Sequence, residues 1–450
     1  MHADDEARTH HLDKMQKQRS NVFSRRCLCL SRKKYISTII MIKKKQRTNK
    51  MISVKQFLPL AALCCSIVAD GSEYVHPISC SSQQAVPVLE PAAAVNEATI
   101  MISEPHKYFP AEIKRIVNAA DAISPDAIDL PNNHSYPVID ISPWLNPSMP
   151  SEEDRHHVVK QVLKEAKASG GFNIIGHGID DNLFHRLDSS SHNFFSMSLE
   201  QKMQYYSGDN RAGYVANRNE SVASVHKSGS VKEQKDLRET FSMSYPPSVD
   251  GNVQGPQEFH NAMSEYIEQL QSVNIALKQI FTAALSFAKG IDLPITYLKD
   301  VEKNETGLLR AARYPSTPGF EDATKLLPHS DFGTITIIAS SEEGLEEIRD
   351  GRWYKVPMSR GELHVNVGQM YTMWSNGLFQ HNIHRVSKEA KKDRISFPYF
   401  TSQGKRTGVI DVGVSSVSSD DEVVKFPRVS TTGHINKYLS AFTGKDDYNF

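Results

Sequence analysis

The stretch after Gly307 restricts the fold most, because it breaks into short apolar segments separated by turn residues. Asp350-Gly351 and Asn376-Gly377 are dipeptides typical of tight hairpins. Eight segments of strand length are predicted, at 308–314, 334–339, 345–348, 353–356, 363–367, 371–374, 383–386 and 394–400. So many short strands favour a sandwich or jelly roll over a doubly wound parallel sheet.

Helical periodicity is prominent in the region before Gly307. Ser151 is predicted to cap a helix that ends at Gly170-Gly171. His177 lies between two glycines and is predicted to stabilise a turn, not to act as a metal ligand. Further helices are predicted at 181–195 and 257–289, strands at 136–141, 172–175 and 237–243, and a loop near the mouth of a site at 207–235. The chain is therefore predicted to be mainly β with flanking helices, an α+β fold.

The charges and the cysteines are unevenly placed, although the formal net charge of the 450 residues is zero. Residues 1–50 hold 14 Lys and Arg against 4 Asp and Glu, so the other 400 residues hold 38 (52 minus 14) against 48 (52 minus 4). An acidic body argues against nucleic acid as the main partner. All five cysteines precede residue 81, which excludes a thiolate metal site or a disulfide framework from the predicted folded body.

Residues 51–71 have the pattern of a secretory signal, with Met51, the basic Lys55, an apolar run over 57–69 and small residues after it. The run is too short to span a bilayer comfortably, so no transmembrane segment is predicted. Because a signal belongs at the N-terminus, we hypothesise that translation starts at Met51 or Met41 and that residues 1–50 are a basic leader or a gene-model extension. Such a start predicts entry into the secretory pathway, and the alternative is a cytoplasmic protein.

The rest of the chain is divided by composition and texture. The predicted divisions are a linker or pre-domain at 72–134 with a candidate helix at 111–122, an N-terminal region with helices at 135–300, a core of strands at 301–402, and a C-terminal extension at 403–450 with a last helix near 435–442.

His329 and Asp331 are candidate metal ligands, because side chains two apart in a strand share a face. An imidazole and a carboxylate supply two-thirds of a facial triad, which leaves three positions on Fe(II) open. The third ligand has to come from another strand, and His384 lies in one. His381 is three positions away and would face the other side, so we choose His384. His364 also lies on a predicted strand, but an interior or surface histidine is expected there as much as a metal ligand, so His364 is left out of the candidate set.

Arg394 and Ser396 follow on the next predicted strand, again two positions apart. A guanidinium beside a hydroxyl suits the far carboxylate of a dicarboxylic acid, since it offers charge-assisted hydrogen bonds. The alternative is a surface arginine on an edge strand. The position of the pair, directly after the third candidate ligand, favours the anchor.

Taken in order, His329-x-Asp331, His384-Arg385-Val386 and Arg394-x-Ser396 resemble the motifs of the non-haem Fe(II), 2-oxoglutarate-dependent dioxygenases of the isopenicillin N synthase-like superfamily. The resemblance covers residues 136–402. Other matching motifs are Tyr136-Pro137-Val138-Ile139-Asp140, Gly171-Phe172, His177-Gly178-Ile179, Arg313-Tyr314-Pro315, Asn366-Val367-Gly368-Gln369 and Trp374-Ser375-Asn376-Gly377. The resemblance implies a double-stranded β-helix, a jelly-roll variant, with helices packed outside it.

The same resemblance implies roles for six residues. His329, Asp331 and His384 would bind Fe(II), and Arg394, Ser396 and Tyr314 would hold 2-oxoglutarate. With O2, the cosubstrate would be converted to succinate and CO2 while a small organic substrate is oxidised, usually by hydroxylation. No side chain need act as a general acid or base.

The substrate side is less defined, because this chain departs from the family pattern. His364 stands where an apolar residue is usual, and Gln369 replaces a common Asp. Substrate contacts are expected from the loop 207–235, from the strand with Phe241 and Met243, and from the face near Phe397 and Tyr399. Three alternatives stay open: an oxidase of the isopenicillin N synthase type that does not use 2-oxoglutarate, a catalytically silent jelly-roll binding protein, and a structural secreted protein.

Overall fold

The computed structural model describes residues 105–130, 135–146, 151–206, 212–216, 237–247, 255–302, 305–316, 325–386, 393–402 and a few positions between 425 and 438. All of them belong to the unit formed by residues 91–450. The predicted leader, the signal segment and the linker up to residue 104 lie outside the described residues. Most of the predicted loop 207–235 does too, although its residues 213–215 form a short strand.

Most of the helices precede the strand-rich region that begins near residue 306. Those of the described residues are α1 (Pro105–Ile123), α2 (Ser142–Leu145), α3 (Glu152–Ala168), α4 (Asp181–Ser196), α5 (Leu199–Met203), α6 (Gln257–Lys289), α7 (Tyr297–Val301) and α8 (Gln369–Trp374). Ser151 caps α3 in a reciprocal capping box with Asp154, as its sequence predicts. Gly290 ends α6 in the left-handed conformation, which glycine adopts without steric cost.

Twelve strands are present in the described ranges, and they form two sheets. They are β1 (Val138–Asp140), β2 (Gly171–Ile175), β3 (Gly213–Val215), β4 (Glu239–Tyr245), β5 (Thr306–Tyr314), β6 (Leu326–His329), β7 (Ile335–Ser340), β8 (Leu345–Arg349), β9 (Arg352–Lys355), β10 (Leu363–Val367), β11 (His384–Val386) and β12 (Arg394–Ser402). The large sheet has the order β1-β2-β10-β7-β12-β5-β4-β3, and the small sheet has the order β6-β11-β8-β9. This architecture confirms the predicted jelly roll with flanking helices.

The main core lies between the large sheet and the helices. Alternate residues of the strands, such as Leu309, Ile337 and Phe397, pack into one cluster with α4 and α6. Phe194 of α4 is at the centre of this cluster, and the centroid of its ring lies 5.2 Å from that of Phe241. Because successive side chains alternate across a sheet, the residues between these core positions face the interior of the jelly roll. The functional groups described below come from that interior face.

Helix α1 packs on the outside of the small sheet, where it covers a second, smaller core. Ile113 is buried against Ile348 and Trp353. The indole of Trp353 donates a 2.8 Å hydrogen bond to Asp121, also on α1. The helix predicted at 111–122 is thus confirmed, and it is longer and more firmly packed than a linker element.

Residues 371–374 were predicted to form a strand, and this prediction is wrong: they belong to α8. The reason is tertiary. Gln369 and Met370 at the start of α8 donate their backbone N–H groups to the carbonyl oxygens of Asp331 and Gly333, which satisfies the first turn of a helix. The last predicted helix, 435–442, lies only partly within the described residues: residues 435 and 438 are described, and both are helical. No helix of the described ranges is long and apolar enough to cross a membrane.

Candidate active site

Three potential metal ligands converge inside the jelly roll. His329 ends β6, Asp331 follows two residues later, and His384 begins β11, directly opposite His329 in the small sheet. One ligand atom from each of the three lies within 4.8 Å of the others. Nε2 of His329 is 3.9 Å from Oδ1 of Asp331, and Nε2 of His384 is 4.0 Å from Oδ2. The structure therefore brings together the three residues selected from the sequence.

The loop that carries Asp331 is held from α8. Gln369 donates its backbone N–H to the carbonyl of Asp331 at 2.8 Å, and its side-chain amide donates to Ser330 at 2.9 Å. Asp331 lies beyond the end of β6, so strand alternation alone does not aim it. The two hydrogen bonds from Gln369 hold this loop in a conformation in which the side chains of His329 and Asp331 face each other.

The protonation pattern of both imidazoles fits a metal. Nδ1 of His329 lies 2.8 Å from the carbonyl oxygen of Leu327, and Nδ1 of His384 lies 3.3 Å from that of Asn382. A carbonyl only accepts, so each Nδ1 is placed to carry a proton, and Nε2 of the neutral ring is then the nitrogen that can bind a metal. Within the described residues, Oδ2 of Asp331 is buried without a hydrogen-bond donor. Two imidazole lone pairs and a bare carboxylate oxygen are a suitable donor set for Fe(II).

Arg394 forms a second feature of the same interior. Its side chain is buried, 1% exposed, and its Nε donates to the carbonyl of Glu342 at 3.2 Å. Neither terminal nitrogen of the guanidinium has an acceptor in the part of the chain that the structure describes. Burial lowers the pKa of Arg394, as expected for a cation taken out of water. A buried guanidinium with both terminal nitrogens open fits the carboxylate of a ligand.

Tyr314 and Ser396 flank this guanidinium. Tyr314 is opposite Arg394 across β5 and β12, and the guanidinium carbon lies 5.3 Å from the centroid of its ring. Ser396 is buried and shares the interior face of β12 with Arg394, because Ile395 and Phe397 face the helices. The three residues predicted to hold a dicarboxylate are therefore neighbours.

The other histidines considered in the sequence have structural roles. His381 turns outward, where its Nε2 lies 3.0 Å from Glu112 of α1. His177 holds its turn: Nδ1 accepts from the backbone of Ile179 at 3.1 Å, and Nε2 lies 3.0 Å from the carbonyl of Gly361. These contacts agree with the selection of His384 over His381 and with the prediction that His177 stabilises a turn.

The four side chains named for the expected substrate contacts on β4 and β12 do not face the interior of the jelly roll. Phe241, Met243, Phe397 and Tyr399 all belong to the helix-facing core, not to the interior of the jelly roll. Tyr399, for example, accepts a 2.8 Å hydrogen bond from Gln271 of α6. The sequence shows which residues share a face, but it does not show which face the helices cover.

Asn366 on β10 was not selected from the sequence, although it is close to the candidate metal ligands. Its side-chain nitrogen lies 3.4 Å from both ring nitrogens of His384. His364, on the same face of β10, contacts Asn366 in turn. The spacing of these two polar residues in a buried strand was the signal that could have identified them.

A jelly roll whose interior holds a His, Asp, His cluster beside a buried, open arginine is the architecture of an iron-dependent oxygenase. Comparison with known proteins agrees. Residues 136–265 match the family model "non-haem dioxygenase in morphine synthesis N-terminal", and residues 305–403 match "2OG-Fe(II) oxygenase superfamily".

Curated relatives are similar over most of their length. A bi-functional coumaroyl CoA and feruloyl CoA ortho-hydroxylase of Ipomoea batatas is 22% identical over 333 residues, 72% of this chain and 86% of the relative. A 2-oxoglutarate-dependent dioxygenase of Penicillium crustosum is 26% identical over 298 residues, 62% of this chain and 88% of the relative.

Solved structures share the fold. A full-length Neurospora crassa protein, crystallised with alpha-KG and thymine, superposes with a TM-score of 0.59 at 19% identity, covering 70% of this chain and 99% of that protein. The rice dioxygenase for auxin oxidation superposes with a TM-score of 0.55 at 18% identity, covering 69% of this chain and 98% of that protein. The chain belongs to the non-haem Fe(II), 2-oxoglutarate-dependent oxygenases, and it is a dioxygenase that uses Fe(II), 2-oxoglutarate and O2.

Proposed function

We propose that His329, Asp331 and His384 bind the Fe(II) of this dioxygenase, and that Arg394, with Ser396 and Tyr314, binds the distal carboxylate of 2-oxoglutarate. The observation that carries the proposal is the buried Oδ2 of Asp331, which has no hydrogen-bond donor among the described residues and lies 4.0 Å from Nε2 of His384. A buried carboxylate oxygen without a donor is costly unless a cation occupies the space beside it.

The bound groups supply the oxidising chemistry: Fe(II), O2 and 2-oxoglutarate together give succinate and CO2 and oxidise a substrate C–H bond. The work of the chain is positioning. His329, Asp331 and His384 would hold Fe(II) through one ligand atom each, a donor set that suits this metal. Arg394 would hold the distal carboxylate of the cosubstrate by charge-assisted hydrogen bonding, and the burial of Arg394 and His384 keeps bulk water away from both residues.

We further propose that the substrate is a small organic molecule that contacts the interior face of β4 and β5. Ser242 lies on that face, opposite in direction to the core residue Phe241. Arg310 of β5 is 7% exposed and donates from Nε to the hydroxyl of Ser242 at 3.0 Å. A cation and a hydroxyl on one wall suit a substrate that carries an acidic or hydroxyl group.

Calorimetric titration under anaerobic conditions tests the site assignment. The Fe(II)-loaded protein should bind 2-oxoglutarate at one site, and Arg394→Ala should bind it at least about 10-fold more weakly, because a charge-assisted pair is lost. Equal affinity in the two proteins would place the anchor elsewhere. Turnover of small acids, phenolics, terpenoids and peptides, followed by succinate release, would then identify the substrate class.

For the N-terminal segment, we propose secretory-pathway entry with translation from Met51 or Met41. The support is the sequence pattern of residues 51–71, which lie outside the described residues. N-terminal sequencing of the natural protein tests this proposal. A mature chain that begins shortly after residue 69 agrees with it, and a chain that begins at Met1 contradicts it.

A further inference from the structure

His364 is a fully buried histidine in the interior of the jelly roll, and it is linked to the candidate iron site through one residue. Its Nδ1 lies 2.9 Å from Oδ1 of Asn173, and its Nε2 lies 2.6 Å from Oδ1 of Asn366. Asn366 in turn lies against the imidazole of His384. The order of contacts is Asn173, His364, Asn366, His384.

The orientation of the Asn173 amide is fixed. Its Nδ2 donates to the carbonyl of Pro357 at 2.7 Å and to Oε2 of Glu362 at 2.8 Å. Both partners are acceptors, so the NH2 group must face them and Oδ1 must face His364. Nδ1 of His364 therefore carries a proton and donates it to Asn173.

His364 is neutral, which settles what its other nitrogen can do. The ring is fully buried, and burial lowers the pKa of this imidazole to about 3, with His384 and then Arg349 adding to the effect. A neutral imidazole has one donor and one acceptor. Since Nδ1 is the donor, Nε2 has to accept, and a carbonyl oxygen 2.6 Å away offers no hydrogen. A half-turn of the Asn366 amide, which exchanges oxygen and nitrogen in nearly the same volume, resolves this conflict.

We propose that His364 is a positioning residue for the iron site: it orients the amide of Asn366 so that the NH2 group faces His364 and the carbonyl oxygen faces His384. This inference rests on the proposed role of His384 as an iron ligand. An NH2 group directed at His384 would donate to the Nε2 lone pair and compete with the metal for it. The carbonyl oxygen cannot compete, and it stabilises the positive charge that the imidazole acquires on binding Fe(II).

The first test needs no metal. In metal-free protein labelled with ¹⁵N-histidine, the nitrogen shifts of His364 should be those of a neutral imidazole protonated at Nδ1 at pH 7. An imidazolium, or a ring protonated at Nε2, would overturn the proposal. His364→Gln and His364→Leu proteins assign the resonance.

The second test uses a matched pair of variants. His364→Gln can still donate to Asn173 and accept from Asn366, whereas His364→Leu fills the space and can do neither. Anaerobic titration with Fe(II), without cosubstrate, should show about 10-fold weaker binding in His364→Leu and near-normal binding in His364→Gln. Equal binding by both variants and the natural protein, or an equal loss in both, would overturn the proposal.

Failure of this inference can be told apart from failure of the iron-site assignment. If His384→Ala loses iron while His364→Leu keeps full affinity, only the role of His364 is wrong. If His384→Ala keeps iron, the iron-site assignment itself is wrong. Denaturant unfolding of both His364 variants checks that the fold is intact.

Discussion

His384 and His329 are paired across β11 and β6, and the centroids of their rings lie 4.3 Å apart. The two imidazoles face the same side of the small sheet because the strands pair in this register. A shift of either strand by one residue would turn one ring to the outer face, where α1 packs. The candidate iron site is therefore a direct consequence of strand register.

We predict that His384→Ala abolishes iron retention and turnover while the fold remains. The matched control is His381→Ala, which removes a nearby histidine that faces Glu112 instead of the site. Iron content after anaerobic loading and desalting, with circular dichroism as the check of folding, measures the difference. Iron loss in His381→Ala but not in His384→Ala would refute the ligand assignment.

Arg394→Ala should raise the KM for 2-oxoglutarate by about 10- to 100-fold, since a charge-assisted pair is worth roughly 1.5–3 kcal/mol. Arg394→Lys keeps the positive charge but not the planar guanidinium, so its KM for 2-oxoglutarate should lie between those of the natural protein and Arg394→Ala. Steady-state kinetics at saturating Fe(II) gives these values. Arg352→Ala, which changes an exposed arginine on β9, serves as the control and should leave the KM unchanged.

The stability of the protein should depend on a buried acid next to the catalytic core. Nζ of Lys278 on α6 lies 2.7 Å from Glu302 and 2.6 Å from Glu305, and Tyr371 of α8 donates to Glu302. Burial, offset in part by Lys278 and reinforced by Glu305, raises the pKa of Glu302 to about 7. One lysine between two carboxylates leaves an excess negative charge, which a proton on Glu302 removes.

The sign of the pH effect follows from this shift. The ordinary pKa of a glutamate is 4.5, so between pH 4.5 and about 7 the folded protein holds a proton that the unfolded chain releases. The stabilisation is complete below pH 4.5 and is lost as the pH rises through 7. Denaturant unfolding should show that the free energy of unfolding is lower at about pH 8 than at about pH 5, by an amount on the order of 1–3 kcal/mol. The decrease should be smaller in Glu302→Gln. Glu268→Gln, on the exposed face of α6, should leave the decrease as it is.

Helix α1 should be part of the folded domain, although it precedes the region matched by the family models. Ile113 is 3% exposed, and removing its side chain to Ala should lower the free energy of unfolding by about 2–4 kcal/mol. Lys114→Ala, at the adjacent exposed position, should change it by less than about 0.5 kcal/mol. An equal, small effect of both substitutions would mean that α1 is not docked in solution.

Much of the fold could be predicted because local patterns and tertiary structure agree. The capping box at Ser151 marked the start of α3, and the long apolar stripe marked α6 over its full length, Gln257–Lys289. The segment 371–374 was missed because its helix is induced by backbone contacts to the Asp331 loop, about 40 residues earlier. No local propensity records such a contact.

The candidate ligand set could be selected from residue type and order, but the residues that support it could not. His329, Asp331, His384, Arg394 and Ser396 carry chemistry that few other side chains supply. The contact from Gln369 to Ser330, and the one from His364 to Asn366, link residues whose partners depend on how strands and loops meet. The face of β4 and β12 that meets the helices was equally hidden, since alternation is symmetric between the two faces.

Succinate release measures whether this site converts 2-oxoglutarate with bound Fe(II). Natural protein and Asp331→Ala, loaded with Fe(II) and supplied with 2-oxoglutarate, O2 and the substrate library, are compared side by side. We expect Fe(II)-dependent succinate release by the natural protein, and a loss of that release by a factor of about 100 or more in Asp331→Ala. Undiminished release by Asp331→Ala, or O2 consumption that does not depend on 2-oxoglutarate, would contradict this expectation.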